Sequence, residues 1–481
     1  MFNSGKTKEW FNVRFIGQAK DDFDVTDIRS GSFKQWVDTC AETYRGNPCW
    51  INIDDDIDSV NFAKAICSEV ARLATMGIEC TFDGAERSAW INQQFKRVCE
   101  RIRHWAEYGC AYGTIILKPD NGGVTMFTPD SFIATETRYG EIVGGVFYDC
   151  FADAKSEKYY SRLEYHRFVD DVYVVTNRCY VGRSAGEMTR PIDISLTPWR
   201  NLAEEVYIKN LSRPLFGVFR MPQANNIDVD SPLGMPIFTD AMQELRDLDI
   251  AYSRNAKEIK NSKRIVLLDS NAMLPCGGGT EINALTMRRQ REAMELPDMV
   301  RNVQGDGAER FYQEINPELN TDIRTSGINA LLSQIGFKMG FSNGHFVFNE
   351  STGIQTATQV EAEQQRTVQM VQDVREKLME CLVGLAHSLN AFADLYTNLP
   401  AEAQYTSDRI EDTVGAAVHL SDIVYSFEED RAHHYSMALQ GKYPWEEYYV
   451  KYLKCSREEA RQLLAMAKEE QAAPRLFGYE E

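Results

Sequence analysis

The sequence contains no apolar run approaching the ~18 residues needed to cross a bilayer, so no membrane-spanning helix and no membrane partner are expected. Its start, Met1 to Trp10, is polar and lacks the apolar centre of a secretion signal, which predicts a chain made and kept in the cytosol. No CxxC pair occurs among its 11 cysteines. The odd number and wide scatter argue against a disulfide framework and a zinc site, and predict reduced, mostly buried thiols. Basic charge is also short: Lys and Arg number 52 against 71 Asp and Glu, a net charge of −19. The whole molecule therefore repels polyanions and is not expected to grip nucleic acid by counterion release.

Catalytic signatures are missing too. There is no GxSxG elbow and no HExxH, and the seven histidines show no Cys/His metal spacing. His433 and His434 are adjacent, and neighbours on a helix point about 100° apart. Gly5-Lys6-Thr7 looks like the end of a phosphate-binding loop, but the pattern needs a glycine five residues before the Gly-Lys pair and none is present. Asp54-Asp55-Asp56-Ile57-Asp58 hints at a calcium loop, yet Ser59 sits where glycine is needed and Ala65 where the bidentate glutamate belongs. An acidic cluster before a helix N-terminus fits those residues better. No catalytic residue, metal or cofactor is expected, and a non-enzymatic role follows.

What is present is an ordinary globular composition. At 481 residues, with 43% apolar and 26% charged residues, the chain is long enough for real buried cores, and one domain per ~150 residues suggests about three regions. Phe62, Ile66, Val70 and Leu73 recur at helical spacing over 60–78, and a second helix is predicted over 88–108. The turn Pro119-Asp120-Asn121-Gly122-Gly123 between β-rich runs at 114–117 and 124–127 predicts a hairpin. Strands are predicted at 145–148, 163–169 and 172–181, so residues 1 to about 230 read as mixed α+β.

After Ser231-Pro232-Leu233-Gly234, three-four spacing from Phe238 through Leu245, Leu248 and Ile259 predicts a helix of about seven turns. A short strand at 265–268 and the loop Pro275-Cys276-Gly277-Gly278-Gly279 read as an insertion. A helix returns over 322–340, followed by a glycine-containing loop to about 356. Thr358-Gln359-Val360-Glu361 has capping-box form and opens a helix carrying Val371, Val374, Leu378, Leu382, Leu385, Leu389, Phe392 and Tyr396 on one stripe. That helix would be roughly 55 to 60 Å long at 1.5 Å per residue, and it needs a partner along its length, in its own chain or a neighbour. A strand at 418–427 and three short helices, opened at Ser426, Pro444 and Ser456, complete the chain.

In their order these elements resemble the portal proteins of long-tailed bacteriophages. The resemblance rests on 61–69, on Tyr108-Gly109-Cys110-Ala111-Tyr112-Gly113 and Thr128-Pro129-Asp130, on Ser231-Pro232-Leu233-Gly234 with Leu245-Arg246-Asp247-Leu248-Asp249 and Lys263-Arg264-Ile265-Val266, and on Gly353-Ile354-Gln355-Thr356-Ala357-Thr358-Gln359-Val360. It implies an α+β portal-type subunit: wing (1–235 and 356–425, the latter holding the long helix and a strand), two stem helices (236–262 and 322–341), a small α/β clip (263–321), a tunnel loop (342–355) and a helical crown (426–481). It further implies a dodecameric ring in the virion, assembled in host cytoplasm, that passes double-stranded DNA without reading its sequence. Expected partners are the terminase large subunit, major capsid and scaffolding proteins, and a head-tail adaptor. The tunnel-loop residues Ser342, Asn343, Gly344, His345, Phe346, Asn349 and Glu350 would face DNA, and Asp247, Arg254, Lys257 and Glu258 would line the stem wall. Another oligomeric phage head or tail protein is the alternative.

Overall fold

The computed structural model describes residues 6–51, 57–82, 86–120, 123–153, 156–262, 265–269, 299–303, 312–315, 321–342, 344–347, 357–395, 418–420, 434–440, 442–453 and 457–472. The chain forms two compact units, Met1–His419 and Leu420–Glu481. Helix and sheet are mixed throughout the first, as an α+β chain requires.

The first unit opens with two helices that sequence periodicity did not predict, α1 (Lys6–Phe23) and α2 (Gly31–Tyr44). Among the described α1 side chains Phe15 and Ala19 are buried and pack with Ile133, Val146 and Leu163, and Ile16 and Phe23 lie against the same cluster. The helix's polar residues hide the pattern, and Gln18 and Asp22 bond instead to the hydroxyl of Tyr180. In α2 the cap is legible: Ser30 Oγ accepts from the Phe33 amide at 3.2 Å.

Helices α3 (Phe62–Ala74) and α4 (Ser88–Tyr112) follow, with the short strand β1 (Ile78–Cys80) between them. Helix α4 runs a turn beyond its predicted end at 108 and stops at Gly113, whose φ of +75° only glycine adopts without strain. A Cβ there would stand 2.3 Å from the Gly234 carbonyl. The reason is contact between two distant segments. The Gly113 carbonyl accepts from Met221 and the Cys110 carbonyl from Ile237, each at 2.9 Å, while the Gly234 amide donates to Thr114 Oγ1 at 2.9 Å. The 108–113 and 231–234 motifs are thus two halves of one backbone junction.

The predicted hairpin forms as β2 (Thr114–Asp120) and β3 (Gly123–Phe127), and β10 (Gly217–Arg220) pairs antiparallel with the other edge of β2. A larger antiparallel sheet has the order β4 (Phe132–Arg138), β5 (Glu141–Asp153), β6 (Lys158–Val169), β7 (Val172–Gly182), β8 (Arg190–Ile192), with β9 (Glu205–Lys209) also on β7. The three predicted strand cores lie inside β5, β6 and β7.

Helix α5 (Met242–Asn261) begins later than expected. Ile237 and Phe238 are buried but precede a 3-10 turn at Thr239–Ala241, in which the Thr239 amide donates to the Pro236 carbonyl at 3.1 Å and the Ala241 amide to the Phe238 carbonyl at 3.0 Å. Next comes a three-stranded sheet with β11 (Ile265–Asp269) central, parallel to β12 (Met299–Val303) and antiparallel to β13 (Tyr312–Ile315). Helix α6 (Thr321–Lys338) then packs against α5, and α7 (Ala357–Leu395) runs 39 residues. From Val371 to Ala393 the α7 stripe is buried in its own chain, on β10, β2, α3 and α4. The partner this long helix requires is therefore intramolecular over that stretch.

Of the strand expected at 418–427, β14 (Val418–Leu420) lies among the described residues. The second unit holds α8 (Trp445–Leu453) and α9 (Arg457–Ala472), tied by Arg461 to Glu446 at 3.0 Å. Tyr448 and Tyr452 are buried there, and the Tyr452 hydroxyl meets His434 Nδ1 at 2.9 Å. Among the described residues no helix is long and apolar enough to cross a membrane.

Candidate functional site

Helices α5 and α6 lie antiparallel, because Glu244 near the start of α5 pairs with Lys338 at the end of α6 (2.6 Å) while Glu258 pairs with Arg324 at the opposite end. Of the expected stem-wall residues, Arg254 and Lys257 are exposed, Asp247 is half-buried and accepts from Gln243 at 3.4 Å, and Glu258 is engaged by Arg324. The opposite face of α5 is anchored. Asp249, 4% exposed, accepts from Trp50 Nε1 and from the Val60 amide, both at 2.9 Å, while Ser253 takes the Asp58 amide. Burial raises the Asp249 carboxyl above the usual range, and those donors oppose the shift.

Large apolar side chains of the hairpin are exposed: Tyr252 and Ile259 on α5, and Ile323 and Phe337 on α6, the last with the Arg366 guanidinium 4.1 Å from its ring centroid. Only Leu332, Ile335 and Gly336 of α6 are buried. A helix with so little covered surface does not hold itself by propensity.

Between α6 and α7, Gly340 turns the chain at a φ of +85°. Phe341 is fully buried, and Ser342, expected on the loop's exposed face, is instead 9% exposed because its amide and hydroxyl both bond to Thr367 of α7. Gly344 and His345 are exposed. The His345 ring stacks on Phe341 (4.7 Å between centroids), and its Nε2 lies 3.5 Å from Glu69 of α3. Phe346 packs edge-on against Phe62 at 5.2 Å. Hydrogen bonding from Arg72, together with the charge of that guanidinium, lowers the Glu69 carboxyl against its partial burial. Asn343, Asn349 and Glu350 lie outside the described residues, as do the 353–356 motif, Asp54 to Asp56 and the glycines near 277.

The most concentrated polar chemistry sits elsewhere. Strand β6 presents Arg162, Glu164 and His166 on one face, and β2 brings Lys118 against them. Lys118 Nζ is 2.5 Å and Arg162 Nη2 3.1 Å from Glu164 Oε2, and Arg162 also reaches Asp149 at 3.4 Å. Burial alone would raise the Glu164 carboxyl, but Lys118 and Arg162, with a hydrogen bond from His166, hold it well below the usual range. Burial lowers His166 in turn, so its ring is neutral.

The tautomer follows from the partners. The Leu215 amide donates to the Tyr173 hydroxyl at 3.1 Å, Tyr173 donates to His166 Nδ1 at 2.9 Å, and His166 Nε2–H therefore donates to Glu164 Oε1 at 2.9 Å. Sequence reading placed this segment in a strand but passed over the cluster. The signal was a period-two charged row, Arg162, Glu164 and His166, inside a strand whose other face, Leu163 and Tyr165, is apolar core.

No protein-family model matches this sequence, and no curated protein does. Among solved structures, a chain from the virion of a native gene transfer agent particle is similar over 77% of this chain and 86% of that chain, with 13% identity and a TM-score of 0.37, too remote for any residue-to-residue correspondence.

Proposed function

We propose that this chain is a non-enzymatic structural subunit of a phage-like virion, and specifically a portal subunit whose closed ring passes double-stranded DNA. The observation that carries this reading is the α5–α6 hairpin: two antiparallel helices bracket a separate three-stranded module and leave Tyr252, Ile259, Ile323 and Phe337 exposed. A monomer has no use for that surface, whereas copies related by closed rotational symmetry bury it. In this reading α5 and α6 form the stem, β11 to β13 belong to the clip that meets the terminase large subunit and a head-tail adaptor, and the capsid and scaffolding proteins surround the ring. The acidic balance lets DNA slide without sticking.

Two measurements test it. Native mass and negative-stain images of the purified chain should give a turbine-shaped ring with a central hole; a lone monomer or a solid disc contradicts the portal and favours another head or tail protein. Replacing residues 343–349 by a linker of equal length should leave rings intact and reduce the length of DNA retained in assembled heads. Retention at wild-type length removes the loop from any channel role. The purified protein should neither hydrolyse ATP nor cut DNA.

A further inference from the structure

The thiols of this chain differ in what surrounds them. Cys40, Cys67, Cys110 and Cys381 are fully buried, and burial pushes Cys40 and Cys110 up to about 12. Thiols held protonated in a core are inert. Cys80 of β1 and Cys99 of α4 are placed otherwise: both are half-buried, and their sulfurs lie 3.8 Å apart.

Local structure holds the two together. Asn92, Phe95 and Cys99 stand at i, i+3 and i+7, on one stripe of α4. Asn92 exchanges two 2.9 Å hydrogen bonds with the backbone of Phe82, its Oδ1 accepting from the amide and its Nδ2 donating to the carbonyl. The Phe82 and Phe95 rings meet at 4.8 Å between centroids. Phe82 follows Cys80 by two residues, so the clamp that fixes Phe82 on α4 also keeps Cys80 beside Cys99. A disulfide needs its sulfurs about 2.05 Å apart, so an approach of roughly 1.8 Å closes the bond.

The two thiols are also unequal. A hydrogen bond from Cys80 lowers the Cys99 thiol, against burial and the nearby charge of Glu79, while the same bond and burial raise Cys80. Cys99 is therefore the one that ionises and attacks, and Cys80 the one that resolves.

We infer that Cys80 and Cys99 are a reversible oxidation site, at which a peroxide joins β1 to α4 through a disulfide. The Cys99 thiolate attacks one oxygen of hydrogen peroxide: the S–O bond forms, the O–O bond breaks, and the departing hydroxide takes up the proton that Cys99 released, giving water. Cys80 then attacks the Cys99 sulfur while its own proton passes to the leaving hydroxyl, so that the S–S bond forms, the S–O bond breaks and a second water departs. The two thiols lose two electrons, and one peroxide becomes two waters. The step involves one chain only and is the same whether or not the chain forms a ring.

The test treats the reduced full-length protein with hydrogen peroxide, alkylates the remaining thiols in denaturant, and maps the peptides by mass spectrometry without reduction. Cys80 and Cys99 should disappear together from the alkylated pool and reappear as one linked peptide pair, two hydrogens lighter than its separate parts, which dithiothreitol takes apart. Buried Cys40 and Cys110 should stay alkylated at the same dose. In Cys80→Ser the Cys99 sulfenic acid has no resolving thiol and should be trapped by dimedone, whereas the parent should give no such adduct. Cys80 and Cys99 both remaining alkylated at a dose that oxidises the exposed Cys49 overturns the proposal. So does a link from either cysteine to a third, or oxygen added to Cys99 of the parent without a link. Should the serine variant fail to fold, the map of the parent protein decides by itself.

Discussion

The amide of Ser342 donates a 2.8 Å hydrogen bond to Oγ1 of Thr367, which donates back to Oγ of Ser342 at 2.9 Å, so the chain leaving α6 is fastened to α7 by two small polar side chains. Both residues are buried. Thr367→Val keeps the shape and strands the Ser342 amide, which costs about 1–3 kcal/mol. Thr367→Ser should restore most of that in thermal or denaturant unfolding. Equal stability of the valine variant contradicts the role.

Arg375 caps a helix from a distance. Its guanidinium, 5% exposed, donates to the carbonyls of Leu73 (3.0 Å), Ala74 (3.1 Å) and Met76 (3.1 Å) at the end of α3. Those carbonyls have no intrahelical donor. Arg375→Met should lose about 1.5–3 kcal/mol, and Arg375→Lys should not rescue it, because an ammonium cannot span three carbonyls as a planar fork does. A lysine variant as stable as the parent refutes the geometry.

Gly217 is where β10 touches α7. A Cβ there would stand 2.2 Å from the Cys381 carbonyl and 3.0 Å from the Leu385 amide. Gly217→Ala should therefore destabilise by about 1–3 kcal/mol through backbone displacement. Gly17 on α1 has nothing within 4 Å, and Gly17→Ala should be neutral or stabilise by up to about 1 kcal/mol. The opposite ranking in urea titrations defeats the packing account.

His166 is held neutral by burial, so its folded pKa lies below the ordinary 6.5. The unfolded chain then takes up a proton that the fold resists. The stability His166 contributes is thus present above about 6.5 and lost as pH falls toward the lowered folded value. His166→Gln should flatten the dependence of unfolding free energy on pH between about 7 and 5. An unchanged slope places the acid sensitivity on other groups.

Ile323 is 73% exposed on α6. If the hairpin surface is buried between copies, Ile323→Glu should convert rings into smaller species in native mass measurements while leaving the subunit's own melting unchanged. A variant ring of full mass shows that this position lies outside the subunit interface.

Elements with a strong, unbroken period were legible without coordinates. The α3 stripe, the β2–β3 turn and the α7 stripe each carry their own signal, since a helix or hairpin that buries one face must write it at 3.6 or 2 residues. Free, mostly buried cysteines were legible too: among the described residues Cys40, Cys67, Cys110, Cys179 and Cys381 are buried thiols. Helix α1 was not, because Arg14, Gln18, Lys20, Asp21 and Asp22 interrupt the core-facing Phe15, Ile16, Ala19 and Phe23 and dilute their period.

Between sequence and tertiary structure, the division falls where distance along the chain stops mattering. Local spacing determined the strongly periodic segments, α3, α4, the β2–β3 hairpin and α7 among them, and composition determined that the chain buries cores and carries acidic charge. Only the fold decided that Gly113 must be glycine, because Gly234 arrives 121 positions later to press on it. It alone turned Ser342 inward, through Thr367, and set Lys118 on Glu164 across 46 residues of chain. Contacts of that span depend on which surfaces meet, and a sequence period records that a face is buried without recording against what.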